Sequence, residues 1–166
     1  MSMTVIDFDL DAKSTAKAGL KVGRVWVTLV QAAEEWNRLF EQHQVPARFR
    51  AAPGAGSRAE CLVVFTHGQV VEEIGGLGSR GAHIAKHGFS KVYFDQSIRW
   101  KTPGDWRFWR EPLLPALLHE LGHVLRIAHV KRKDWVMAPR WPAARRIRED
   151  EGRHYASEMR RMRNAE

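Results

Sequence analysis

His119, Glu120 and His123 form a His-Glu-x-x-His run, with His129 six residues after His123 and Met137 eight residues after His129. Residues four apart on a helix share a face, so His119 and His123 can direct two imidazole nitrogens at one metal ion. Each would stand about 2.0–2.1 Å from a zinc ion. Glu120 is turned about 100° around the helix from its neighbour. That sets its carboxylate beside the open side of the ion, where it can take a proton from water and later give it to a leaving amine. Catalytic zinc keeps three protein ligands and one exchangeable water, whose pKa it lowers toward about 7. The chemistry predicted is metal-assisted hydrolysis. Two surface histidines on an amphipathic helix would be the plainer reading. Against it, Leu117, Leu118, Leu121, Val124 and Leu125 make the helix strongly apolar. Polar groups on a buried helix need a partner, and a metal ion is a good one.

The elements that must hold these residues follow from periodicity. The site helix is expected over 113–125, with Pro112 and Pro115 suiting its first turn, where backbone N–H groups lack intrahelical partners. Upstream, 4–10 alternates as a first strand. From Val22 to Phe40 apolar residues recur at helical spacing, opposed by Glu34, Glu35, Arg38 and Glu41, and Pro46 stops the helix. Strands are expected at 47–51, 60–66, 82–85 and 91–94, the last two on either side of a turn at Gly88. Pro53 to Ser57 reads as a loop. Gly75, Gly76, Gly78 and Gly81 mark a flexible connection, and they lack the Gly-Lys-Ser/Thr ending of a phosphate loop. Trp100, Trp106 and Trp109 fall in a linker and are expected to anchor core and loop rather than line a cleft. After Met137, the residues Ile147, Glu151, Tyr155, Met159 and Met162 give a final amphipathic helix.

The 166 residues suit one domain spanning 1–166, and 44% hydrophobic with 28% charged content is ordinary for a globular protein. No apolar run is long enough to span a bilayer, and residues 1–10 do not read as a signal peptide. The expectation is a cytosolic monomer that does not engage a membrane, with export left open. Cys61, the single cysteine, excludes an internal disulfide and is expected as a packed, inert thiol. The net charge is +8, with much of the excess C-terminal, at Lys131, Arg132, Lys133, Arg140, Arg145, Arg146, Arg148, Arg153, Arg160, Arg161 and Arg163. Such a surface can meet nucleic acid or another acidic partner, or can simply be a solvated face, and no nucleic-acid-binding motif accompanies it.

The run from His119 to His129 resembles the metzincin signature His-Glu-x-x-His-x-x-Gly-x-x-His, and Met137 falls where that clan of zinc proteases has its Met-turn. The interval from His129 to Met137 and the Val136-Met137-Ala138-Pro139 ending are most similar to the matrixins, the matrix metalloproteinase family. Lys91-Val92-Tyr93-Phe94-Asp95 followed by Trp100 is similar to the segment before the matrixin site helix. The resemblance implies an α/β, zincin-like fold: a twisted mixed sheet, a first packing helix, a site helix, a Met-turn and a C-terminal helix. It implies one catalytic Zn2+ held by His119, His123 and His129, with Met137 as the floor beneath the imidazoles. It implies that the strand holding His83 and Ala85 forms the upper rim of a cleft that takes an extended peptide by strand addition, with Val136 and Pro139 as further substrate contacts.

Three departures stand out. The signature glycine is Arg126 here, at a place where the chain must leave the helix sharply, often with positive φ. Zinc ligation offsets the strain, or the helix runs on and Asp134 or a second chain completes the site, or the site is weakened and has little activity. Tyr93 stands near where matrixins carry a histidine of a second, structural zinc, so none is expected, and His67, His83 and His87 are read as surface histidines. No cysteine of a pro-segment switch is present. The expected function is a zinc endopeptidase with Glu120 as general base and then acid. The alternatives are a DNA-associated protein-processing protease that uses the basic C-terminal helix, and a non-catalytic binding module that keeps zinc for folding.

Overall fold

The computed structural model describes residues 3–76, 79–86, 89–107, 110–139 and 146–165; Gly78, His87, Gly88, Trp109, Arg140 and Arg145 lie outside them. The fold is mixed α/β. Five strands form one sheet: β1 (Thr4–Leu10), β2 (Ala47–Ala51), β3 (Cys61–Thr66), β4 (Gly81–Lys86) and β5 (Phe89–Asp95), in the order β2-β1-β3-β5-β4. β1 pairs in parallel with β2 and β3, and β3 pairs in parallel with β5. β4 alone is antiparallel, running back along β5 with Gly81 opposite Phe94 and Lys86 opposite Phe89, and it forms one edge of the sheet. Parallel neighbours need crossover connections, and helices supply them.

Five helices are present among the described residues: α1 (Ala12–Lys17), α2 (Val22–Gln42), α3 (Gly68–Gly75), α4 (Leu113–Val124) and α5 (Glu149–Ala165). α2 buries Val25, Leu29, Ala32, Ala33, Trp36, Leu39 and Phe40 on one face, the stripe its periodicity predicts. It packs on β2 and on α4. Trp36 is fully buried between them, and its indole Nε1 donates to the Leu118 carbonyl at 3.0 Å. α4 is apolar nearly all round, and every residue from Leu113 to Gly122 is buried. Its chain therefore carries His119 and Glu120 into the interior. Pro112 caps it and Pro115 lies in its first turn, at positions that cost no intrahelical hydrogen bond.

Two short helices escape the periodicity. α1 is six residues long and starts at Asp11, whose carboxylate accepts from the Ser14 amide at 2.8 Å. α3 occupies the stretch just before the glycine run, where Val70, Val71 and the flanking glycines mask a helical pattern. The tryptophans divide as well. Trp100 is buried and donates to the Asp95 carbonyl at 2.8 Å, in a two-residue strand paired with Glu111–Pro112. Trp106 is 79% exposed, so the expectation that it anchors the core is wrong. Its neighbours Asp105 and Arg107 hold the linker instead through a two-bonded ion pair at 2.8 Å. Cys61 is buried, and burial pushes its thiol up to about 12, as an inert thiol requires.

Part of the basic C-terminal excess has a structural use. Arg160 on α5 donates to the His43 carbonyl, and Arg163 donates to the Pro46 carbonyl at 3.0 Å. These bonds seat α5 on the turn between α2 and β2. Among the described residues no helix is long and apolar enough to cross a membrane.

Candidate metal centre

α4 sets His119 and His123 one turn apart on one face, with their ring centroids 4.7 Å apart. The chain's exit from the helix decides whether His129 can join them. α4 ends after Val124, and Arg126 adopts φ +63°. The Arg126 amide donates to the His123 carbonyl at 2.9 Å, and the Ile127 amide donates to the Gly122 carbonyl at 3.0 Å. This is a Schellman stop, with Arg126 in the left-handed position that glycine usually fills. The helix does not run on. The chain reverses and brings His129 Nε2 to 3.1 Å from His123 Nε2 and 3.2 Å from His119 Nε2. The third edge, His119 to His123, is 3.1 Å. Asp134 is engaged elsewhere, with Arg148 at 2.6 Å and Arg132 at 3.4 Å.

A left-handed conformation costs an L-residue roughly 1–2 kcal/mol. Arg126→Gly is therefore expected to stabilise the protein by about 1 kcal/mol in chemical denaturation, while Arg126→Ala, which keeps the strain, gains nothing. Equal midpoints for all three proteins would show that the turn is unstrained.

For two of the three rings, the hydrogen bond on the far side fixes what the converging nitrogen is. His119 Nδ1 lies 2.7 Å from the Val136 carbonyl oxygen, and His123 Nδ1 lies 3.0 Å from that of Ile127. A carbonyl only accepts, so each Nδ1 carries the hydrogen and each neutral ring presents a bare Nε2 lone pair to the centre. The lone pairs of His119 and His123 face one another at 3.1 Å and repel unless a cation or a donor lies between them, and His129 Nε2 closes the group at 3.1–3.2 Å. Nitrogens about 2.0–2.1 Å from one tetrahedral ion stand roughly 3.3 Å apart, close to the spacing found. The three histidines form a group that can hold a metal ion. Burial first, then the neighbouring imidazoles, pushes His119 down to about 3, against the pull of the Val136 hydrogen bond. His123 is lowered too, by burial and then by His129. Both rings are thus kept neutral, the state a metal requires of them.

Glu120 is buried, and its Oε2 has no hydrogen-bond partner. Burial pushes its carboxyl up to about 8. A buried carboxyl with an unpartnered oxygen beside three imidazoles is costly, and a nearby positive charge relieves it. Glu120, His119, His123 and His129 line a cleft of about 860 Å3, together with His83 and Pro139.

The remaining predicted residues fall in different places. His83, on the edge strand β4, is not a surface histidine. It is half-buried in the cleft, stacked on His123 with centroids 6.5 Å apart, and its Nε2 is buried without a partner. Burial, with His123 adding to it, pushes His83 down to about 4. Ala85, one step further along the same face of β4, lines a separate cavity together with Arg126. Val136 is buried and bears on the site through the carbonyl that holds His119.

Met137 is fully buried. A Cβ on Gly122 would meet its sulfur at 2.2 Å, so Met137 lies against the bare backbone of α4 one residue before His123. The Met137 carbonyl accepts from the Val130 amide at 2.9 Å, which ties the turn to the segment carrying His129. Sequence reading passed over Gly122, the Val136 carbonyl, and the Glu151 and Tyr155 side chains beneath the turn. The signals for them are the small residue inside the His-Glu-x-x-His run and the i,i+4 spacing of Glu151 and Tyr155. No protein-family model and no curated protein matches the chain, so the reading of this centre stands on its residues and geometry alone.

Proposed function

We propose that the chain is a zinc-dependent endopeptidase of zincin-like architecture, similar to the metzincins and most of all to the matrixins. One observation carries the reading: three imidazole Nε2 atoms converge within 3.2 Å of one another beside a buried glutamate, in a cleft bordered by a sheet edge. A three-nitrogen set with room for a further ligand suits catalytic zinc. A zinc ion held by His119, His123 and His129 supplies Lewis acidity, making water a competent nucleophile near neutral pH and polarising a carbonyl.

The chain's own groups do the rest. Glu120 accepts the proton of the attacking water and delivers it to the amine that leaves. Its burial favours the proton-carrying form needed for the second step, while a bound cation favours the carboxylate needed for the first. β4 offers an extended peptide the unpaired backbone groups of a sheet edge, and main-chain pairing there would hold the substrate across the cleft. His83 and Pro139 border that path. Val136 contributes through His119 rather than through substrate, and Ala85 lies beyond the cleft.

The test is metal content and cleavage of an unstructured polypeptide, measured together. The purified chain is expected to hold one zinc, to cleave, to lose cleavage with a chelator and to regain it with zinc. His129→Ala is expected to weaken zinc binding by more than the roughly 10–100-fold that loss of an outer-shell partner costs. Unchanged affinity in that variant would remove His129 from the ligand set. Zinc-dependent melting without any cleavage would replace the protease by a zinc-stabilised binding module.

A further inference from the structure

We propose that Glu151, acting through Tyr155 and the Val136–Met137 peptide, is the remote carboxylate that orients and polarises the metal ligand His119. The inference rests on the reading of His119 as a ligand.

Histidines that bind metals generally donate their second ring N–H to a carboxylate or carbonyl, which fixes the ring and raises its basicity. His119 donates to the Val136 carbonyl at 2.7 Å. The N–H of that same peptide unit belongs to Met137 and donates to the Tyr155 hydroxyl at 3.0 Å. The hydroxyl donates to Glu151 Oε1 at 2.7 Å. Every donor in this series points the same way, from the imidazole to the carboxylate. Hydrogen bonds aligned head to tail strengthen one another, and more so where the dielectric is low. His119, Val136, Met137, Tyr155 and Glu151 are all buried. Negative charge at Glu151 makes the Tyr155 oxygen a better acceptor, and that draws on the Met137 N–H. The peptide bond transmits the shift to the Val136 oxygen, the acceptor for His119.

Glu151 is fixed in this role from two more sides. Its Oε1 also accepts from the Val136 amide, and its Oε2 accepts from the Arg148 amide at 3.3 Å. It lies in the first turn of α5, reaching back to the amide before that helix, as the acidic member of a capping box does. Burial pushes its carboxyl up, and the hydrogen bonds from Tyr155 and the Val136 and Arg148 amides, with the positive end of the helix dipole, oppose that and favour the charge. A helix cap on its own needs neither full burial nor the Tyr155 hydroxyl. The turn's hydrogen bonds use both.

The experiment compares the full chain with Tyr155→Phe, Glu151→Gln and Arg160→Ala. Tyr155→Phe removes one oxygen and interrupts the series at two bonds while leaving the ring in place. Arg160→Ala loosens the seat of the same helix at His43 without touching the series. Zinc affinity is measured by chelator competition, metal-free stability by thermal melting, and ligand-field strength by the visible spectrum of the cobalt-substituted protein. Tyr155→Phe is expected to lower zinc affinity by about 10–100-fold and to shift the cobalt bands. Glu151→Gln, which keeps an acceptor but loses the charge, is expected to fall between it and the wild type. Arg160→Ala is expected to lower the melting temperature with zinc affinity kept within about twofold. Zinc affinity and cobalt bands unchanged in Tyr155→Phe would overturn the relay. So would a loss in Arg160→Ala as large as that in Tyr155→Phe, since general loosening would then account for both. A wild-type chain that binds no zinc would fail at the first measurement and take the metal centre with it, an outcome distinct from failure of the variants alone.

Discussion

Glu120→Gln is expected to lower peptide cleavage by about 100- to 10,000-fold, the range that a positioned general acid–base group contributes, with zinc still bound. Glutamine keeps the shape of the side chain. Glu120 Oε2 has no hydrogen-bond partner to lose, so the exchange breaks no bond of the fold at that atom. A neutral amide is also less costly to bury than a carboxylate, and the variant should melt no lower than the wild type. His119 and His123 keep their carbonyl partners, and the three imidazoles keep their mutual spacing. What disappears is the site that accepts a proton, because an amide oxygen is a far weaker base. The expected signature is thus a folded, zinc-loaded protein with kcat reduced and KM little changed, the pattern of an interaction made in the transition state alone. Cleavage within a few-fold of wild type would show that another group moves the proton.

Local pattern carried much of this protein. α2 announces itself by a stripe that later faces the sheet, and α4 by an apolar run that leaves two histidines four residues apart no exposed face to occupy. Spacing alone could not say whether His129 joins them. That depended on Arg126 taking a left-handed conformation, and an arginine gives no local sign that it will. The turn is held by amides donating back to Gly122 and His123, and by the burial of Ile127 just beyond it. α1 and α3 were missed because helices of six and eight residues draw their stability from tertiary packing rather than from their own sequence. His83 lines the cleft as the resemblance implies, and its reading as a surface histidine fails for a related reason. A histidine on an alternating strand is equally consistent with either face until the partner strand and the helix beneath it are known. The support under the Met-turn, from Glu151 and Tyr155, joins residues brought together by the chain's return through α5, and no periodicity reports such a meeting.

Gly122→Ala is expected to cost about 2 kcal/mol, the balance of two opposed effects. Alanine in place of glycine inside a helix gains up to about 1 kcal/mol. Here the added methyl would stand 2.2 Å from the Met137 sulfur, 3.0 Å from its terminal carbon and 3.1 Å from Trp36. A clash that close costs about 3 kcal/mol, the upper end for overpacking, which leaves the net loss at about 2 kcal/mol. Trp36 has little freedom to retreat, since it is fully buried and its indole nitrogen is bonded to the Leu118 carbonyl. Met137 must therefore move, and the Val136 carbonyl that orients His119 lies in the same short turn. The loss should appear as a melting temperature lower by about 4–8 °C and as weaker zinc binding. Met137→Ala alone should cost about 2–5 kcal/mol through the cavity it leaves. In the double variant the new methyl enters that cavity, so the two losses should fall short of their sum by about 1–3 kcal/mol. Simple additivity would mean that Gly122 and Met137 do not press on one another. The glycine inside the His-Glu-x-x-His run would then be a matter of helix sequence rather than the point where the turn and the site helix meet.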